Sequence, residues 1–142
     1  MISDADRIDL LSRAQKLRQS GESARRQDNI AARRCYEESV ALLRDVGEPL
    51  TLAHTIRHLG DVYHEQGRPE LAEPCYEEAL ALYREHGKGP SLDLANAIRS
   101  LAVLRWEQTR ALWKEARDLY TPLRIEPGIK ESTARLEALS AR

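Results

Sequence analysis

Three arginines at matching helical positions, Arg18, Arg57 and Arg99, are the residues of this chain best suited to chemistry. A guanidinium offers planar, paired donors that fit a carboxylate, so a row of them favours an acidic segment or a chain terminus. Arg18–Glu22 and Arg57–Asp61 are also i,i+4 pairs, whose partners can satisfy each other instead for about 0.3–0.5 kcal/mol. His54 and His58 share the i,i+4 spacing of a metal chelate, but no Cys, Asp or Glu is placed by the pattern as a third ligand. No metal and no cofactor are therefore expected, and the imidazoles are read as a source of pH dependence. Cys35 and Cys75 both sit in a Cys-Tyr-Glu-Glu phrase and so occupy one position in successive repeats. Helix spacing of roughly 10 Å is too wide for a disulfide, and both are read as buried reduced thiols. Glu37-Glu38 and Glu77-Glu78 recur with the repeat as solvated surface. With no phosphate-binding Gly loop, nucleophile elbow or Cys/His motif, no enzymatic activity is expected.

The elements that position these groups are helical. The apolar series Leu10, Ala14, Leu17, Gly21, Ala24 has helical spacing, with Ser3 before it as an N-cap and Asp4 and Asp6 in the first turn. Asp28-Asn29 breaks that helix and caps the next. Gly47-Glu48-Pro49, Gly67-Arg68-Pro69 and Gly87 to Ser91 are further stop-and-restart signals. Pro74 fits a helix at little cost only within a first turn. An Ala-x3-Tyr phrase starts at Ala32, Ala72 and Ala116, in steps of 40 and 44 residues. Ahead of the second stands Ile56-x2-Leu59-Gly60-x2-Tyr63, and ahead of the third Ile98-x2-Leu101-Ala102.

These phrases resemble the tetratricopeptide repeat (TPR), in the longer-helix variety of kinesin light chains and many bacterial proteins. The resemblance implies an all-α, right-handed helical-hairpin solenoid of three repeats. Repeat one covers about 4–46, repeat two about 49–87, and repeat three, with its turn near Thr109-Arg110-Ala111, about 91–124. A capping helix follows over about 129–141, with Ile129, Leu136 and Leu139 on one side. First helices of this family line a groove that commonly holds a peptide. Aligned on Gly21, Gly60 and Ala102, Leu17, Ile56 and Ile98 fall in the core. The open side then carries four rows: Gln15, His54, Asn96; Arg18, Arg57, Arg99; Glu22, Asp61, Val103; and Arg25, His64, Trp106. Trp106 is a candidate anchor, and Trp113, near the expected turn, is read as structural. His58 stands where the family's chaperone-binding carboxylate clamp needs Asn, and Arg57-His58 and Arg99-Ser100 stand where kinesin-light-chain repeats often pair Asn. Neither specificity carries over.

Composition agrees with this reading. The 142 residues have no Phe and only 5% aromatics, which suits thin layers of Ala- and Leu-rich helices. A net charge of −1 argues against non-specific nucleic-acid or anionic-membrane partners. No apolar run spans a membrane and no secretory signal is visible, so a cytoplasmic location is expected. The expected role is a non-catalytic adaptor for a protein or peptide with an acidic segment. Self-association into a homo-oligomer, as a regulatory module of a larger signalling assembly, is the second reading.

Overall fold

A computed structural model of the chain describes residues 1–141, and all regular structure among them is helical. The helices are α1 (Asp4–Ala24), α2 (Asn29–Arg44), α3 (Pro49–Glu65), α4 (Pro69–His86), α5 (Leu92–Leu123) and α6 (Glu126–Ser140). They divide into two compact units, Met1–Leu101 and the residues from Ala102 onward, with the boundary inside α5.

In the first unit α1/α2 and α3/α4 are helical hairpins, and α2 packs on α3. The sequence signals place the helix starts. Ser3 Oγ accepts from Asp6 N–H at 3.1 Å, Asp28 accepts from Ile30 and Ala31 N–H, and Ser91 Oγ accepts from Leu94 N–H. Pro49 and Pro69 occupy first turns, and Gly47 and Gly67 before them take φ +76° and +70°, where a side chain would be strained. Pro74 does not fall in a first turn. It lies inside α4, beyond the turn begun at Pro69, and its ring nitrogen cannot donate to the carbonyl one turn back.

The two hairpins close on the same contact. A Cβ on Gly21 would stand 2.9 Å from the Tyr36 ring, and one on Gly60 would stand 2.8 Å from the Tyr76 ring. Glycine is therefore required at both crossings, and Ala32, Tyr36, Ala53, Ile56, Ala72 and Tyr76 are fully buried around them. Cys35 and Cys75 are free thiols beside the same glycines, half-buried rather than fully so, and burial pushes the Cys75 thiol up to about 11.

The third repeat departs from expectation. Residues 91–124 were to fold as a hairpin turning near Thr109-Arg110-Ala111; α5 runs through that point unbroken. The physical reason lies in the segment itself. Arg105-Trp-Glu-Gln-Thr-Arg-Ala-Leu-Trp113 has no Gly, Pro, Asn or Asp, whereas the first two hairpins turn at Asp28-Asn29 and Gly67-Arg68-Pro69. Tyr120, the tyrosine of the third phrase, rests instead on α6, where a Cβ at Gly128 would stand 2.6 Å from its ring. In this second unit the latter part of α5 and α6 run antiparallel. Tyr120 meets Gly128 near the turn, and Trp113, half-buried, lies under the Arg135 guanidinium at 5.6 Å farther along. Arg124, at φ +55°, makes the turn between them. Ile98, expected in the core, is 44% exposed, and Leu17 is only half-buried. No helix among the described residues is long and apolar enough to cross a membrane.

Candidate functional site

Helix α3 supplies the centre of the site. Arg57, Asp61, His64 and Glu65 are spaced so that helical geometry puts them on one face. Arg25 arrives from the C-terminal end of α1, and Asn96, Arg99 and Ser100 from the beginning of α5. Together these eight residues line a cavity of about 360 Å³ in the first unit.

Asp61 organises the charges. It accepts from Tyr76 Oη at 2.7 Å and from Arg57 Nη1 at 3.4 Å, with Arg25 Nη2 at 3.8 Å. Burial pushes its carboxyl upward, against the lowering effect of Tyr76, Arg57 and Arg25. Arg25 forks onto Glu65 with contacts of 2.9 and 2.5 Å, and those bonds hold its guanidinium more firmly protonated than usual. Arg57 is only 9% exposed, and its Nε has no hydrogen-bond partner among the described residues. A buried cation with one long carboxylate contact is costly unless its neighbours compensate it, which ties Arg57 to Asp61. Arg99 differs: it is exposed, borders the cavity, and makes no ion pair among the described residues.

The arginine row thus separates into three situations. Arg57 pairs with its i+4 acid, as the spacing allows. Arg18 leaves Glu22 to Tyr36, whose Oη donates to it at 2.9 Å, and to Arg25 at 3.6 Å. Arg99 has Val103 at i+4 and no acid to meet.

Of the residues singled out from sequence, Arg25, Arg57, Asp61, His64, Asn96 and Arg99 share this cavity. Arg18 and His54 lie apart from it, lining a second cavity of about 310 Å³ with Gln19, Glu22, Tyr36 and His58. There the His54 ring stands edge-on to His58 with centroids 4.6 Å apart, and His58 stacks on Tyr36. Burial, with Arg57 adding to it, lowers both imidazoles, His58 to about 4. His54 Nδ1 is 3.6 Å from Asp93. Among the described residues no three His, Cys, Asp or Glu side chains gather as metal ligands. Trp106 belongs to the second unit, where it is 40% exposed.

Glu65, Ser100 and the tyrosine hydroxyls were not read from sequence. The tyrosines carried a detectable signal: Glu22–Tyr36 and Asp61–Tyr76, 14 and 15 residues apart, repeat one hydrogen bond in both hairpins.

Helical hairpins stacked in register, each closed by a Gly–Tyr crossing, define a helical-repeat protein. The tetratricopeptide-repeat family model matches residues 12–85, more than half of the chain, and the protein belongs to that family. The match ends within α4, ahead of the helix that departs from the hairpin pattern. No curated protein matches the chain. Tetratricopeptide repeats generally mediate protein–protein interactions.

Proposed function

We propose that the chain is a non-catalytic interaction module whose first unit receives an acidic peptide segment in the cavity bordered by α1, α3 and α5. The observation that carries this reading is Arg99, an exposed guanidinium without an ion-pair partner among the described residues, beside the Asn96 amide and the Ser100 hydroxyl. An acidic side chain or terminal carboxylate would take a bidentate contact from Arg99 and a further bond from Asn96. Arg57 and Arg25 stand behind them, already committed to Asp61 and Glu65. They add positive potential and little direct contact. The partner is thus a protein or peptide, with neither nucleic acid nor membrane favoured by the net charge of −1.

Labelled acidic, neutral and basic peptides, titrated by fluorescence anisotropy at low and moderate salt, test this. The acidic set binds the wild-type chain, more weakly as salt rises. Arg99→Glu lowers that affinity at least tenfold, about 1.4 kcal/mol. Arg34→Glu, an exposed change on α2 outside the cavity, leaves it unchanged. Equal binding of acidic peptides by wild type and Arg99→Glu would remove the cavity from consideration.

A further inference from the structure

Helix α5 carries both halves of a repeat contact, and neither half meets the other: half-buried Ala116 aside, the side chains concerned are exposed, Tyr120 even as it rests on Gly128 of α6. In α3, Ala53, Ile56 and Gly60 are buried beneath α4; their counterparts in α5, Ala95, Ile98 and Ala102, are exposed. In α4, Ala72, Tyr76 and Ala79 are buried on α3; in α5 their counterparts are half-buried Ala116 and exposed Tyr120 and Leu123. Residues of one uninterrupted helix cannot form the two walls of a hairpin, so the chain cannot bring these faces together by itself.

The same residues belong to a single heptad-spaced face. From Ala95 to Leu123, steps of three and four alternate without a break, small side chains (Ala95, Ala102, Thr109, Ala116) standing between larger ones. Leu112, Leu119 and Leu123 on it are 65, 62 and 69% exposed. A 3,4 spacing of this kind is the seam of a two-stranded coiled coil.

We propose that this face pairs with a second copy of the chain, the two α5 helices lying antiparallel about a two-fold axis near Arg110–Ala111. The register follows from the α3/α4 hairpin, in which Gly60 lies against Cys75 and Tyr76. Transferred to α5, that contact sets Ala102 against the partner's Leu119, with Tyr120 beside it. The same register sets Ile98 on the partner's Leu123 and Thr109 on the partner's Leu112, small facing large in the inner layers. Arg105, the one charged residue on the face, falls against the partner's Ala116 and beside the partner's Glu115, an opposite charge repeated across the axis. A helix face about 42 Å long, engaged over its whole length, provides contact on the order of the ~800 Å² per partner that stable pairs bury. Each copy thereby supplies the second helix that the other's third repeat lacks.

Light scattering coupled to size exclusion, with the full chain across the micromolar range, reads the mass directly. The expected mass rises to twice the 16.1 kDa of one chain. Under mild oxidation, mixed Ala102→Cys and Leu119→Cys chains form a disulfide-linked dimer, while neither variant alone, nor wild type with its own Cys35 and Cys75, does so. A doubly changed Leu112→Glu, Leu119→Glu chain returns to the single-chain mass with its helicity intact by circular dichroism. A wild-type chain that keeps the single-chain mass throughout overturns the proposal, as does a dimer that lacks the 102–119 link. The cysteine pair carries the test even if the glutamate variant fails to fold.

Discussion

Asp61 is the residue on which the first unit's polar interior turns. It faces Arg57, which is 9% exposed, and it takes the Tyr76 hydroxyl at 2.7 Å. Asp61→Asn keeps the shape and the tyrosine bond but leaves Arg57 a buried, uncompensated cation. The expected loss is about 3 kcal/mol in urea unfolding. Removing both charges with Arg57→Gln as well costs less than the two single changes together, because the pair is coupled. His58 makes a second residue-level prediction. Its folded value of about 4 lies below the ordinary 6.5, so the neutral ring is the one the fold favours. Its stabilising effect is complete above pH 6.5 and is lost as pH falls through that value towards 4. The loss is on the order of 2 kcal/mol once partial exposure is discounted. Thermal melts of wild type and His58→Gln across that window should therefore converge on the acid side; parallel curves would show that another group titrates.

The helices owe their limits to a few short-range devices. Asp28 accepts from two backbone N–H groups at the start of α2. Asp28→Ala should cost ~1 kcal/mol, seen as a lowered melting temperature without loss of fold. Pro74 works in the opposite direction. It sits exposed inside α4, where an N–H is missing from the helix ladder. Pro74→Ala should stabilise by about 1–2 kcal/mol, less than the full proline penalty because the freed unfolded chain gains entropy. A neutral or destabilising result would mean that α4 is bent to advantage at that position. At this scale α5 shows what happens when the device is absent: without a breaker between Ile98 and Ala116, propensity carries the helix through the expected turn.

Over the whole molecule, apolar burial is unevenly divided. The first unit holds nearly all of the fully buried side chains, whereas from Ala102 onward only Leu104 and Ser132 reach that level among the described residues. Local stability follows such burial. Amides of α3 and α4 should exchange with deuterium more slowly than those of α6 and of α5 beyond Trp106, measured by mass spectrometry on dilute protein. Raising the concentration should slow α5 preferentially if its heptad face is covered by a second copy.

Much of this protein could be read from residue order alone. Helical periodicity, the caps at Ser3, Asp28 and Ser91, and the Gly–Tyr phrases are local or fixed-offset patterns. They were enough for an all-α chain of tetratricopeptide type. Arg25, Arg57, Asp61, His64, Asn96 and Arg99 could be grouped because equivalent positions on stacked first helices face the same way. Tertiary structure alone decided which of those charges are already spent. Arg25 and Arg57 are engaged by Glu65 and Asp61, and Arg99 is not, because pairing depends on distances between helices that no spacing within one helix encodes. It also decided the third repeat. The Ala-x3-Tyr phrase at Ala116 looked like the others, yet a phrase closes a hairpin only where the chain can turn. Here Tyr120 found its glycine on α6 instead.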